Sequence, residues 1–169
     1  MAKTIASDAP DCGANALYVF LRLYNVDCSL DEVRQEVPLT EQGASMLDLK
    51  AAAGRHGTRT AVISTPPTGL VERLPAIARM ASEGRTEEGH YVVVTRADDE
   101  LVDLIDGATG VSSKVARATF DREFSGYALV ANGITSRSIL NKLNVSLLAL
   151  CGFGITGCVI LGLRRFVPR

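Results

Sequence analysis

Three reactive side chains stand at what read as element boundaries of this sequence. Cys12 lies in Asp11-Cys12-Gly13-Ala14-Asn15-Ala16-Leu17, directly in front of an apolar helical pattern. His90 opens the run Gly89-His90-Tyr91-Val92-Val93-Val94, and Asp106 closes Leu101-Val102-Asp103-Leu104-Ile105 just before Gly107. A thiol at a helix start, an imidazole at a strand start and a carboxylate at a strand end are the parts of a Cys-His-Asp peptidase site, which assembles in space and not in sequence. The helix start suits a nucleophile, because the unpaired N–H groups of the first turn favour thiolate and can donate to a developing oxyanion. Taken singly, each residue has a plainer reading. A lone cysteine more often fills space under a helix, and an Asp-Gly pair more often marks a turn.

The elements that would hold these residues can be read from periodicity. Leu17, Phe20, Leu21, Leu23 and Tyr24 recur at helical spacing behind Cys12. Ser29-x-x-Glu32 predicts a capping box opening a helix over Leu30 to Val37, and Ser45 with Asp48 predicts a second, with Leu47, Leu49, Ala51 and Ala52 on its core face and Gly57 as its stop. Thr60 to Ser64, Pro75 to Ala78, Tyr91 to Thr95, Leu101 to Ile105, Val111 to Ala116 and Tyr127 to Ala131 read as strands, with short helical pieces at Leu70 to Leu74 and Thr119 to Glu123. Ala81 to Gly89 reads as a polar loop delivering His90. The other histidine, His56, sits beside a glycine stop and reads as a structural helix-end residue. Helices first and strands afterwards predict an α+β fold with a mainly antiparallel sheet, whose core includes Leu17, Leu21, Leu47, Val93 and Leu104.

The segments DCGANALYVFLRLYNVDCSLDEV, GASMLDLKAAAGRHG, LPAIARM, GHYVVV, LVDLIDGATG and FSGYALV, in that order, resemble the double-glycine leader peptidases that process bacteriocin precursors. These are papain-like cysteine peptidases often fused to peptide-exporting transporters. The resemblance covers roughly residues 6 to 131. It implies a papain-like fold, with Cys12 as nucleophile, His90 as general base and acid, and Asp106 orienting the imidazole. The substrate it implies is a precursor peptide cut after a pair of small residues, typically Gly-Gly. One position departs from the pattern: where the family carries a glutamine six residues before the nucleophile, its amide serving the oxyanion hole, this chain has Ala6. The loss of one such donor costs roughly two to three powers of ten in turnover. A catalytically impaired module that binds leader peptides without cutting them is therefore the alternative.

Composition narrows the remaining classes. The chain has 169 residues, a formal net charge of −1 and a pI near 6.1, with no basic footprint for nucleic acid. Cys12, Cys28, Cys151 and Cys158 form no zinc-type spacing, and neither metal nor cofactor is expected. A Cys12–Cys28 disulfide is conceivable but would consume the nucleophile, so the peptidase reading requires a reducing compartment. No GxxxxGK[ST] loop or multi-span region occurs, so a complete peptide-exporting transporter is not expected in this polypeptide, while a separate transporter partner of the kind the resemblance implies stays open.

The tail reads as a separate unit. A peptidase domain over 1–131 is followed by a linker at 132–144, a charge-free run at 145–163 and a basic tail at 164–169. The run approaches the roughly 20 residues that cross a bilayer as a helix, and Arg164-Arg165 closes it. The expectation is a single-pass membrane anchor. The amino terminus carries no apolar signal core, and with the need for a reduced thiol this puts the domain in the cytoplasm; the slight excess of arginine after the span argues the other way.

Overall fold

The computed structural model of the chain describes residues 11–132 apart from 39, 41, 42, 83 and 84, and for 82 and 85–88 it describes the backbone alone. Three helices come first. Helix α1 (Cys12–Leu23) buries Ala16, Leu17, Phe20 and Leu21 as one stripe and ends at Tyr24, where Asn25 takes a φ of 58°. Asparagine reaches that left-handed conformation more readily than most residues. Helices α2 (Leu30–Glu36) and α3 (Met46–Arg55) both open with the expected capping boxes. Ser29 Oγ accepts from the Glu32 N–H at 3.2 Å while the Glu32 carboxylate accepts from the Ser29 N–H at 2.7 Å. Ser45 and Asp48 repeat the exchange at 3.2 and 3.0 Å. Each such cap stabilises its helix by about 1 kcal/mol relative to alanine.

Six strands and two short helices follow: β1 (Thr60–Ser64), α4 (Pro67–Val71), β2 (Ala76–Ser82), β3 (Arg85–Ala97), β4 (Leu101–Asp106), β5 (Ser112–Ala116), α5 (Arg117–Glu123) and β6 (Phe124–Ala131). They form one sheet in the order β1-β6-β2-β3-β4-β5, antiparallel at every pairing. Both faces of this sheet are covered. On one, Leu17, Leu21 and Leu49 pack with Ile77, Val93 and Leu129; on the other, Leu70 and Phe120 pack with Met80, Val92 and Leu104. That double burial explains why Tyr91 to Val94 reads as an unbroken apolar run. A fully buried side chain of this size contributes roughly 1.5–3 kcal/mol, so the central strand β3 is firmly held.

The α+β architecture and the antiparallel sheet agree with the sequence reading, and two details differ. Leu47 is 68% exposed: the buried stripe of α3 is Met46, Leu49, Ala52 and Ala53, and Leu47 stands outside it. The polar segment before His90 is strand and not loop, since β2 pairs with β3 through Ala81↔Gly89 and, after a register shift, Ser82↔Arg85. A ladder is made by backbone groups, so charged residues can extend it where neither face needs to be apolar. The chain divides into Met1–Thr135 and Ser136–Arg169. The expected membrane span at 145–163 lies outside the described residues, among which no helix is long and apolar enough to cross a membrane.

Candidate active site

Cys12 is the first residue of α1 and is 7% exposed. Backbone bonds from Tyr91 and Gly13 favour its thiolate, as N–H donors directed at sulfur do. They do not prevail. Burial pushes the thiol pKa up, and the carboxylates of Asp106 and Asp11 add to that, so the thiol lies above its ordinary value. The helix start therefore assists ionisation, as its position suggested, without producing a free-standing thiolate.

Two glycines let the helix start sit directly on the sheet. Gly107, where the chain leaves β4, donates its N–H to the Tyr91 carbonyl at 3.0 Å, and a Cβ there would come within 2.5 Å of both the Cys12 and the Tyr91 carbonyl oxygens. Gly13 is nearly as confined: a Cβ there would lie 3.1 Å from Ala44 Cβ and 3.3 Å from the Tyr91 ring. Tyr91 in turn donates its hydroxyl to the Ala44 carbonyl at 2.9 Å; burial pushes its pKa up to about 12, which keeps it a neutral donor. Strand β3, the segment before α3 and the nucleophile's helix are thus joined through one side chain.

His90 is 2% exposed, and its Nε2 lies 3.0 Å from Asp106 Oδ2. The other carboxylate oxygen accepts from the Ala108 N–H at 2.9 Å, the Thr109 N–H at 2.8 Å and the Thr109 hydroxyl at 3.0 Å. Burial pushes the Asp106 carboxyl up, but the Thr109 N–H, the His90 charge and the Thr109 hydroxyl together outweigh it and hold the pKa below the usual range. A carboxylate facing Nε2 requires the ring proton there, which leaves the Nδ1 lone pair free to take a proton. Nδ1 is buried and has no hydrogen-bond partner. A buried nitrogen without a partner carries a desolvation cost, which a hydrogen bond accepted from a thiol would offset.

The three residues approach from two layers. Cys12 belongs to the helix-side cluster, whereas His90 pairs in register with Met80, and Asp106 with Val92, both in the opposite cluster. Asp106 links them: α1 begins over the end of β4, where the Asp106 charge acts on the Cys12 thiol and a side chain at Gly107 would meet the Cys12 carbonyl, while the other side of Asp106 holds His90. The remaining candidates take the structural roles expected of them. His56 ends α3 with Nε2 3.4 Å from Glu36, and Cys12 and Cys28 are both free thiols.

Sequence reading missed a groove that Tyr91 and Ala44, the neighbours of Gly13 at the start of α1, help to line. It has a volume of about 630 Å³, and Ala44, Met46, Leu47, Val62, Tyr91 and Tyr127 are among its lining residues, with Arg79 and Gly89. Leu47 and Tyr127, 49% exposed, are large apolar residues left open to solvent here. Their sequence signal was an apolar residue outside the buried stripe of its helix and an aromatic on the outer phase of its strand.

A model of the peptidase C39 family matches residues 3–135. The transport/processing ATP-binding protein PedD for pediocin PA-1, from Pediococcus acidilactici, is 25% identical over 130 residues, which are 75% of this chain and 18% of that protein. The chain thus spans under a fifth of that relative's length. Among solved structures, a double glycine motif protease from an AMS/PCAT transporter in complex with the leader peptide superposes with a TM-score of 0.65 at 24% identity, over 78% of this chain and 88% of that one. The peptidase domain of Streptococcus ComA, a bifunctional ABC transporter, gives 0.65 at 22% identity over 75% and 93%. The peptidase C39-like domain of a toxin secretion ATP-binding protein from Vibrio parahaemolyticus gives 0.56 at 17% identity over 75% and 98%. These superpositions share the fold described above.

Proposed function

The chain belongs to the peptidase C39 family, and from that premise we propose that it is a cysteine peptidase cutting a precursor peptide after a Gly-Gly-type leader, with Cys12 as nucleophile, His90 as base and acid, and Asp106 as the orienting carboxylate. The observation that carries this reading is the His90–Asp106 pair at 3.0 Å, which leaves His90 Nδ1 buried and unpartnered, with the Asp106 charge also acting on the Cys12 thiol at the start of α1. His90 Nδ1 takes the thiol proton as Sγ bonds to the carbonyl carbon, and first-turn N–H groups of α1 hold the oxyanion. Collapse breaks the C–N bond, and the imidazolium returns its proton to the departing amine. Water, deprotonated by His90, then attacks the thioester, frees the new carboxylate and regenerates the thiol. The solved relative bound to a leader peptide and the processing role in PedD's name support the substrate class.

Incubating the chain with a synthetic peptide of leader, Gly-Gly and cargo should release a fragment ending in Gly-Gly, read by mass spectrometry. Cys12→Ala and His90→Ala should each slow release by at least about a hundredfold. Ala6 and the raised Cys12 thiol favour a second reading, a module that binds leaders without cutting them. Ala6→Gln separates the two. Faster cleavage means a sound triad short of one oxyanion donor, whereas binding without cleavage in both forms means a binding module.

The anchor belongs to the same proposal. Residues 145–163 carry no charge and are followed by Arg164-Arg165, which supports a single membrane-spanning helix, a cytoplasmic peptidase domain and a separate transporter as partner. The full chain should then partition into detergent and a chain ending at Gly133 should not. A full chain that stays in the aqueous phase would end the anchor assignment.

A further inference from the structure

The residue immediately before the nucleophile behaves unlike the caps of α2 and α3. Asp11 occupies the N-cap position of α1, where an aspartate ordinarily accepts from the N–H of the second or third helical residue, yet its side chain makes no capping hydrogen bond. Its carboxylate lies instead toward Arg34 on α2, whose Nη2 is 3.7 Å from Asp11 Oδ2 and 3.1 Å from Asn15 Oδ1. Ser29 and Ser45 do close on the first turns of their helices. Of the three helices that precede the sheet, the two without a nucleophile are capped by a side chain and the one that carries it is not, although its N-cap residue is an aspartate able to do so; α4 and α5 begin after Pro66 and Ala116, which have no side-chain acceptor to offer.

We propose that Arg34 is a positioning residue for the nucleophile: by holding the Asp11 carboxylate away from the first turn of α1, it keeps that turn's N–H groups available to the Cys12 sulfur and to the oxyanion. Asn15, one turn beyond Asp11 on the same helix face, gives the guanidinium its second anchor, so that it spans the start of α1. Several charges surround the thiol. Asp106 from β4 and Asp11 from the helix's own cap both disfavour the thiolate, and His90 on β3, the base assigned above, is paired with Asp106. Arg79 on β2 and Asp48 on α3 act on Tyr91. Among the described residues Arg34 is the cation within 4 Å of Asp11, and the pair is about two-fifths exposed. Screening at that exposure makes its charge alone a small lever, so the larger effect comes from where Asp11 points.

The inference rests on the nucleophile assignment above, but its test does not need peptide cleavage. Iodoacetamide labelling of Cys12, followed by mass spectrometry across pH in the full chain, reads it directly. Arg34→Gln frees Asp11 to cap α1, so labelling at pH 8 should slow by about three- to tenfold while the melting temperature holds or rises, because a cap is gained. A residue that merely braced α2 against α1 would lower the melting temperature instead. Arg34→Lys should fall between wild type and Arg34→Gln. In an Asp11→Ala background, with no carboxylate left to move, Arg34→Gln should change labelling by less than twofold. Equal slowing with and without Asp11, or no slowing in either, overturns the proposal even if the chain proves an active peptidase. The predicted pattern in a chain that cuts nothing upholds it while the peptidase reading fails.

Discussion

The two halves of the candidate site are prepared to different degrees. On the sheet side, Asp106 has both oxygens engaged, one by three donors from the following turn and one by His90, and the ring is locked in the tautomer a base needs. On the helix side, Cys12 is held in place by close backbone packing, yet its thiol is pushed toward the protonated form by burial and by two carboxylates. The base is ready and the nucleophile is conditional. Such a division suits a thiol that ionises by handing its proton to the imidazole as the substrate arrives, and not one stored as a thiolate.

Asparagine at position 106 strikes the prepared half hardest. Three donors from Ala108 and Thr109 converge on Oδ1, so the amide of Asp106→Asn should turn its oxygen to them and its NH2 group toward His90. Nε2 would then have to accept, the ring proton would move to Nδ1, and His90 would lose the lone pair that receives the thiol proton. Cleavage of the Gly-Gly peptide should fall by about two to four powers of ten with little change in KM. A loss of less than tenfold would mean that the pair at 3.0 Å is structural only.

That same residue shows how much of the site could be read in advance. As a sequence, Leu104-Ile105-Asp106-Gly107 looks like a strand running into an Asx turn, and Oδ1 does make that turn. The orienting role belongs to Oδ2, and nothing in the local sequence could show it, because its partner lies on the neighbouring strand. Only the resemblance to a family brought His90 and Asp106 together. The capping boxes at Ser29 and Ser45 were legible for the opposite reason: every group in them lies within four residues. The hairpin at Ser82↔Arg85 was hidden because its sequence is charged, whereas a ladder is made by backbone groups. Leu47 was placed in the core because it is apolar, whereas its position outside the stripe of α3 opens it onto the groove.

The conditional half can be tested by the same substitution with the opposite sign. The Cys12 pKa lies above its ordinary value, so in the free protein the thiolate fraction should rise about tenfold per pH unit through neutrality and continue to rise beyond pH 9. Labelling by iodoacetamide should follow that curve without a plateau near pH 7. Asp106→Asn removes one of the two negative charges that act on the thiol, which lowers its pKa and should speed Cys12 labelling at pH 8 by about two- to fivefold, even as cleavage collapses. The two readouts move apart only if free Cys12 is a thiol. Were Cys12 already paired as thiolate with a protonated His90, loss of Asp106 would weaken that imidazolium, labelling would plateau near neutrality in the wild type, and the substitution would slow labelling and cleavage together.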